Sequence, residues 1–138
     1  MKGKMLSLLA MGAVMFGIGL RTLAGEPDNR FVQLAEIKVD HKWITAYQAA
    51  LRREIAATMR LEPGVLSLYA VAHRDDPSSI TILEIYASRD AYEAHRQSMS
   101  FKTYKAETAH MVQSLRLIPG LPLLRDGKLP SGRNPGMP

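Results

Sequence analysis

Cysteine is absent from all 138 residues. The chain therefore has no thiolate nucleophile, no cysteine-ligated metal and no disulfide, and nothing in it depends on the redox state of its compartment. Metal-binding spacing is missing as well. His41, His73, His95 and His110 are scattered, with no His-x-x-x-His pair and no His/carboxylate cluster, so no metal is expected. A basic stripe is also lacking. The net charge of +5 owes much to Lys2, Lys4 and Arg21, and without them fifteen basic residues face thirteen acidic ones. The other cations alternate with Asp and Glu, which argues against a nucleic-acid partner. No internal repeat of short period is found.

What remains is the composition of a globular protein, 46% apolar and 22% charged, in a length that holds one cored domain and hardly two. Its first part is of another kind. Met1 to Lys4 is basic, Met5 to Leu20 is uncharged and mostly apolar, and Thr22-Leu23-Ala24-Gly25 supplies small residues for cleavage. That is the layout of a secretory signal peptide. The run is short for a membrane span of about 20 residues, and the competing reading is an uncleaved anchor, the chain's one expected membrane contact. In either case the domain is expected to be exported, periplasmic or secreted. A lipoprotein is excluded, because no cysteine follows the small residues. The expected organisation is a signal peptide or anchor over 1–25, a domain over 26–118, and a tail over 119–138. That tail holds five of the eight prolines and four of the ten glycines and shows no periodicity.

Within the domain, Phe31 to Val39 reads as a strand with Phe31, Ala35, Ile37 and Val39 on one side. Asp40 can cap the helix that follows. From Lys42 to Met59, Ile44, Tyr47, Leu51, Ile55 and Met59 recur at three and four. Glu62-Pro63-Gly64 ends this helix, proline by breaking the hydrogen-bond ladder and glycine by accepting the positive φ of a tight turn. Val65 to His73 and Ile80 to Ala87 read as strands paired through a polar turn. Ser88 and Asp90 then offer oxygens to the free N–H groups of a second helix, with Glu93 placed as in a capping box. On it Ala91, Tyr92, His95 and Met99 share one apolar face. Ser98 and Ser100 weaken this helix, which resumes with Phe101, Tyr104, Thr108 and Met111 on one side. Ser114 to Ile118 alternates as a fourth strand would.

Strand, helix, strand, strand, helix, strand is the α+β, ferredoxin-like βαββαβ order: an antiparallel sheet with helices on one face. The middle strands are apolar on both sides. Leu66 and Leu68 face one way and Val65, Tyr69 and Val71 the other; in the next strand Leu83 and Ile85 oppose Ile80 and Ile82. A strand bordering water on one face should alternate. Two helices cover one face only, so a second copy of the sheet is expected on the other, giving a homodimer. A monomer whose open face is covered by the proline-rich tail is the alternative.

An inward histidine beside Tyr92, downstream of a strand carrying Glu84 and Tyr86, makes an acid–base site lined by aromatics; the bland alternative is a hydrogen-bonded core histidine. The segments LEPGVLSLYAV, DDPSSITILEIYASRDAYEAH and SFKTYKAETAHMV resemble the antibiotic biosynthesis monooxygenase domain, also described as quinol monooxygenases, over about Phe31 to Ile118. The resemblance implies a dimeric α/β barrel that adds oxygen to small aromatic phenols or quinols with no cofactor. It implies His95 as the base and Tyr86 and Tyr92 as substrate contacts, Tyr86 standing where a Trp is usual. Glu84 is expected to orient the histidine. Phe101 and Tyr104 are expected as pocket wall or core, and His73 as a pocket residue or a solvated turn histidine. Where many relatives carry a second histidine before the Phe, this chain has Ser100. The related haem-degrading enzymes use an Asn in the first strand, a Trp and a His; here there is no Asn from Phe31 to Val39, and Tyr86 and Lys105 hold the other places, which argues against haem breakdown.

Overall fold

The computed structural model describes residues 28–123. The expected signal segment and the tail beyond residue 123 lie outside the described residues. Four strands and three helices follow in the order β1 (Phe31–Val39), α1 (Ile44–Leu61), β2 (Val65–Ala72), β3 (Ser79–Tyr86), α2 (Arg89–Gln97), α3 (Met99–Thr108) and β4 (Val112–Gly120). All strand pairs are antiparallel, in the spatial order β2-β3-β1-β4. This is the expected ferredoxin-like α+β arrangement. β4 runs two residues past Ile118, Pro119 standing opposite Gln33 and Gly120 opposite Val32. Proline is tolerated there because β4 is an edge strand. Among the described residues no helix is long and apolar enough to cross a membrane.

The core lies between the sheet and its helices. Ala35, Ile37 and Val39 of β1 and Ile80 and Ile82 of β3 pack against Tyr47, Ala50 and Leu51 of α1 and Tyr104 of α3. The buried stripe of α1 is rotated from the expected one. Its centre holds Glu54 and Thr58, while Ile55 and Met59 are half-buried at its border. Polar side chains on the inner stripe of a helix need partners. They find them in the site described below.

Three local readings are corrected. β2 carries a bulge at Leu66, so Val65 opposite Tyr86 and Leu68 opposite Glu84 both face the helices, and Val65 is not on the side of Tyr69 and Val71. Ser88 alone caps α2, accepting from the Ala91 N–H at 3.1 Å, while Glu93 pairs with Arg89 and Arg96 rather than closing a capping box. Ser98 ends α2 and caps α3, which throws Met99 out of phase and leaves it 78% exposed.

The Glu62-Pro63-Gly64 turn closes on a 3.0 Å bond from Val65 N–H to Glu62 C=O. Gly64 is needed for close approach rather than for a left-handed backbone. A Cβ on it would lie 2.8 Å from the Ala91 Cβ, and its own carbonyl accepts from Ala87 N–H at 2.8 Å. Neither neighbour is a flexible side-chain end. Gly64→Ala is therefore expected to destabilise by about 1–3 kcal/mol, as overpacking does, measured as the urea midpoint at unchanged slope. An unchanged midpoint would show that α2 can move away from the turn.

Candidate active site

A cavity of about 220 Å³ opens between the sheet and the helices. That exceeds the roughly 150 Å³ apolar cavity known to take up benzene, so a small aromatic ring system fits. Ala35, Ile37, Leu51, Leu68 and Ile82 give it apolar walls, and Tyr86, Tyr92, Phe101 and Tyr104 bring aromatic rings. Arg96 and Lys105, and the part-exposed Leu115 and Leu117 of β4, also line it and mark its mouth.

His95 enters from α2 and is 3% exposed. Its ring lies 5.6 Å from that of Tyr86 and 4.7 Å from that of Phe101. Tyr92 meets Tyr86 edge-on at 5.2 Å and stacks on Phe31 at 4.6 Å. The structure thus brings His95, Glu84, Tyr86, Tyr92, Phe101 and Tyr104 to one cavity. Tyr104 belongs to the core cluster as well. His73 is not among the lining residues. It is exposed just past β2, its Nε2 3.0 Å from the Thr81 hydroxyl.

The expected partner of the histidine is corrected. Glu84 is bonded to Gln33 and Tyr86, whose Nε2 and hydroxyl donate to its Oε2 at 2.6 and 3.0 Å. The carboxylate that holds His95 is Glu62, with Oε2 at 2.9 Å from Nδ1. Glu62 sits at the C-terminal end of α1, its N–H bonded to Thr58 C=O, so the turn that stops the helix aims the carboxylate. The hydroxyls of Thr58 and Ser100 lie 3.3 and 3.4 Å from its Oε1. On the other side His95 Nε2 is 3.8 Å from Oε1 of Glu54, which also accepts from Thr58 at 2.7 Å. With Nδ1–H donated to Glu62, a neutral ring carries its lone pair at Nε2, on the side of Glu54, and both residues line the cavity.

Burial pushes the Glu54 carboxyl above the usual glutamate range; Thr58 and His95 oppose that, and Glu62 and Glu84 add to it. Burial raises Glu84 too, against its bonds from Gln33 and Tyr86. The Tyr47, Tyr86 and Tyr104 hydroxyls are all pushed up, chiefly by burial, so they stay protonated and do not compete for a base. A carboxyl that binds its proton more tightly folded than unfolded weakens folding as pH rises from the unfolded-chain value through the folded one. Glu54→Gln is accordingly expected to melt higher than the natural protein at pH 8 and level with it at pH 4, by calorimetry. A difference of the same size at both pH values would contradict this.

Glu54, Glu62 and Gln33 were not singled out in the sequence. Gln33 had a signal, being the one polar residue on the inner side of β1. Among the described residues no three His, Asp or Glu side chains are placed to hold a metal ion.

Residues 30–107 match the family model described as antibiotic biosynthesis monooxygenase. The chain belongs to that family. A solved structure from Bacteroides thetaiotaomicron, named for antibiotic biosynthesis monooxygenases, is 48% identical, with a TM-score of 0.71 over 73% of this chain and 96% of that one. A monooxygenase-named structure from Lactobacillus acidophilus is 27% identical with a TM-score of 0.66, covering 67% of this chain and 44% of that longer one. A third, from Nitrosomonas europaea, shares the fold at 21% identity and a TM-score of 0.67, covering 72% and 96%. No curated protein matches.

Proposed function

We propose that this family member is a cofactor-independent monooxygenase that oxidises a small phenolic or quinol substrate with molecular oxygen. The observation that carries the reading is a cavity-lining histidine 3% exposed, held at Nδ1 by Glu62 and ringed by aromatic side chains. Triplet oxygen reacts poorly with a neutral phenol but accepts an electron from its anion. His95 Nε2 takes the hydroxyl proton. The ring anion passes one electron to O₂, and the radical pair closes a carbon–oxygen bond to give a peroxide. Loss of water leaves one oxygen atom on the ring, the substrate supplying all four electrons. Low water content favours the anion's reaction over side reactions. The test is oxygen uptake with a menadiol-like substrate under ¹⁸O₂: uptake above the protein-free rate with one labelled atom in the product is expected. Uptake at the protein-free rate would leave a module that only binds an aromatic ligand.

The proposal includes export and dimerisation. The apolar run with its basic flank and small residues within 1–25 supports export. The outer sheet face supports a homodimer: Tyr69, Val71 and Leu34 are 57%, 44% and 36% exposed there, beside Leu83 and Ile85. An uncovered apolar patch on a sheet marks an interaction surface. Sheet-on-sheet packing with a second copy buries it. Light scattering is expected to give twice the chain mass, and Tyr69→Glu the single mass. A monomeric natural protein would refute the dimer.

A further inference from the structure

The polar hydrogens around Glu84 and His95 are largely committed. Gln33 and Tyr86 both donate to Glu84 Oε2, Thr58 donates to Glu54, and His95 Nδ1 is bonded to Glu62. Beside them two acceptors remain open. Among the described residues no hydrogen bond reaches Glu84 Oε1, yet no sealed side-chain oxygen or nitrogen there lacks a partner, so Oε1 stands open to the cavity that Glu84 lines. No hydrogen bond reaches His95 Nε2 either, Glu54 Oε1 standing 3.8 Å away. Tyr86 touches both residues, its ring 5.6 Å from that of His95 and its hydroxyl donating to Glu84.

We propose that Glu84 determines specificity: its open Oε1 accepts a hydrogen bond from a second hydroxyl on the ring whose first hydroxyl faces His95. The inference rests on the phenol-binding reading above and adds to it a residue that sorts ligands. An ether or carbonyl at the second position would set lone pair against lone pair and leave a buried acceptor unpaired. A site built to receive a hydroxyl rejects the analogue without one far more strongly than an apolar wall rejects a methyl group. A carboxylate at that position would be repelled by Glu84 outright. Glu54 adds to the repulsion.

The experiment is anaerobic binding at pH 8 of 1,4-dihydroxynaphthalene against 4-methoxy-1-naphthol, followed by fluorescence titration. The natural protein is expected to favour the diol by about tenfold or more, the effect of one hydrogen bond to a charged group. In Glu84→Gln the amide carbonyl keeps the bonds from Gln33 and Tyr86 and turns an N–H toward the ligand, so the preference is expected to fall to parity or invert. Glu84→Leu, of similar size and unable to accept, is expected to abolish it and serves if the glutamine variant does not fold. Equal binding of the two ligands by the natural protein would overturn the proposal. So would a tenfold diol preference that persists in either folded variant. Because no oxygen is present, a selective binder that never turns over would keep this inference while refuting the monooxygenase reading.

Discussion

Replacing His95 with glutamine is expected to lower kcat/KM for oxygen uptake by about 10²–10⁴-fold, the range that a positioned base contributes. Glutamine is close in size and keeps an amide N–H for Glu62, so the wall shared with Tyr86 and Phe101 is retained. What it loses is a nitrogen that can take a proton. The Tyr47, Tyr86 and Tyr104 hydroxyls of the cavity cannot replace it, since burial raises all three. Two carboxylates line the cavity as possible substitutes, Glu54 at 3.8 Å from Nε2 and Glu84 at the second hydroxyl. Both carboxyls are pushed up by burial, so a residual rate in the variant should rise with pH, and the His95→Gln/Glu54→Gln double variant should lose the share that Glu54 carries. Full activity in a folded His95→Gln protein would remove the imidazole from the chemistry and return His95 to the core.

The path from sequence to this site is uneven, and the unevenness has physical causes. The bounds of β1 and the inward side of α2 were legible because periods of two and near 3.6 are local properties of the chain. His95 was legible for that reason, lying three residues after Tyr92. The partner of His95 was not. Glu84 stands eleven residues before it on the preceding strand, whereas Glu62, thirty-three residues away, reads in sequence as part of a helix stop. Only the packing of α2 on the turn at Gly64 brings that carboxylate to the ring. Glu54 was hidden by a different effect: with Ile55 and Met59 both apolar, the stripe of α1 has two nearly equal solutions one residue apart. The chosen rotation buries a carboxyl and a hydroxyl, which only their bonds to each other and to the site make tolerable. Met99 failed because one serine, Ser98, resets the helical phase.

Glu62→Gln is expected to reduce kcat by about 10–10²-fold with little change in KM, the usual cost of losing a carboxylate that orients a functional histidine. In the natural protein an ionised Glu62 can only accept across the 2.9 Å contact, so a neutral ring donates at Nδ1 and keeps its lone pair at Nε2. A glutamine offers two ways. If its carbonyl faces the ring, the tautomer is unchanged; if its N–H does, the proton moves to Nε2 and the base becomes a donor pointing at the substrate hydroxyl. The imidazolium formed during turnover also loses its nearest counter-charge, so the step that makes it is slowed in both arrangements. Binding need not suffer, because Glu62 bonds the far side of the ring and is not a lining residue of the cavity. ¹⁵N shifts of labelled histidine give a readout that a merely structural role would not move: a protonated Nδ1 in the natural protein and a mixed or reversed tautomer in Glu62→Gln. An unchanged tautomer with unchanged kcat would leave Glu62 as a helix stop and nothing more.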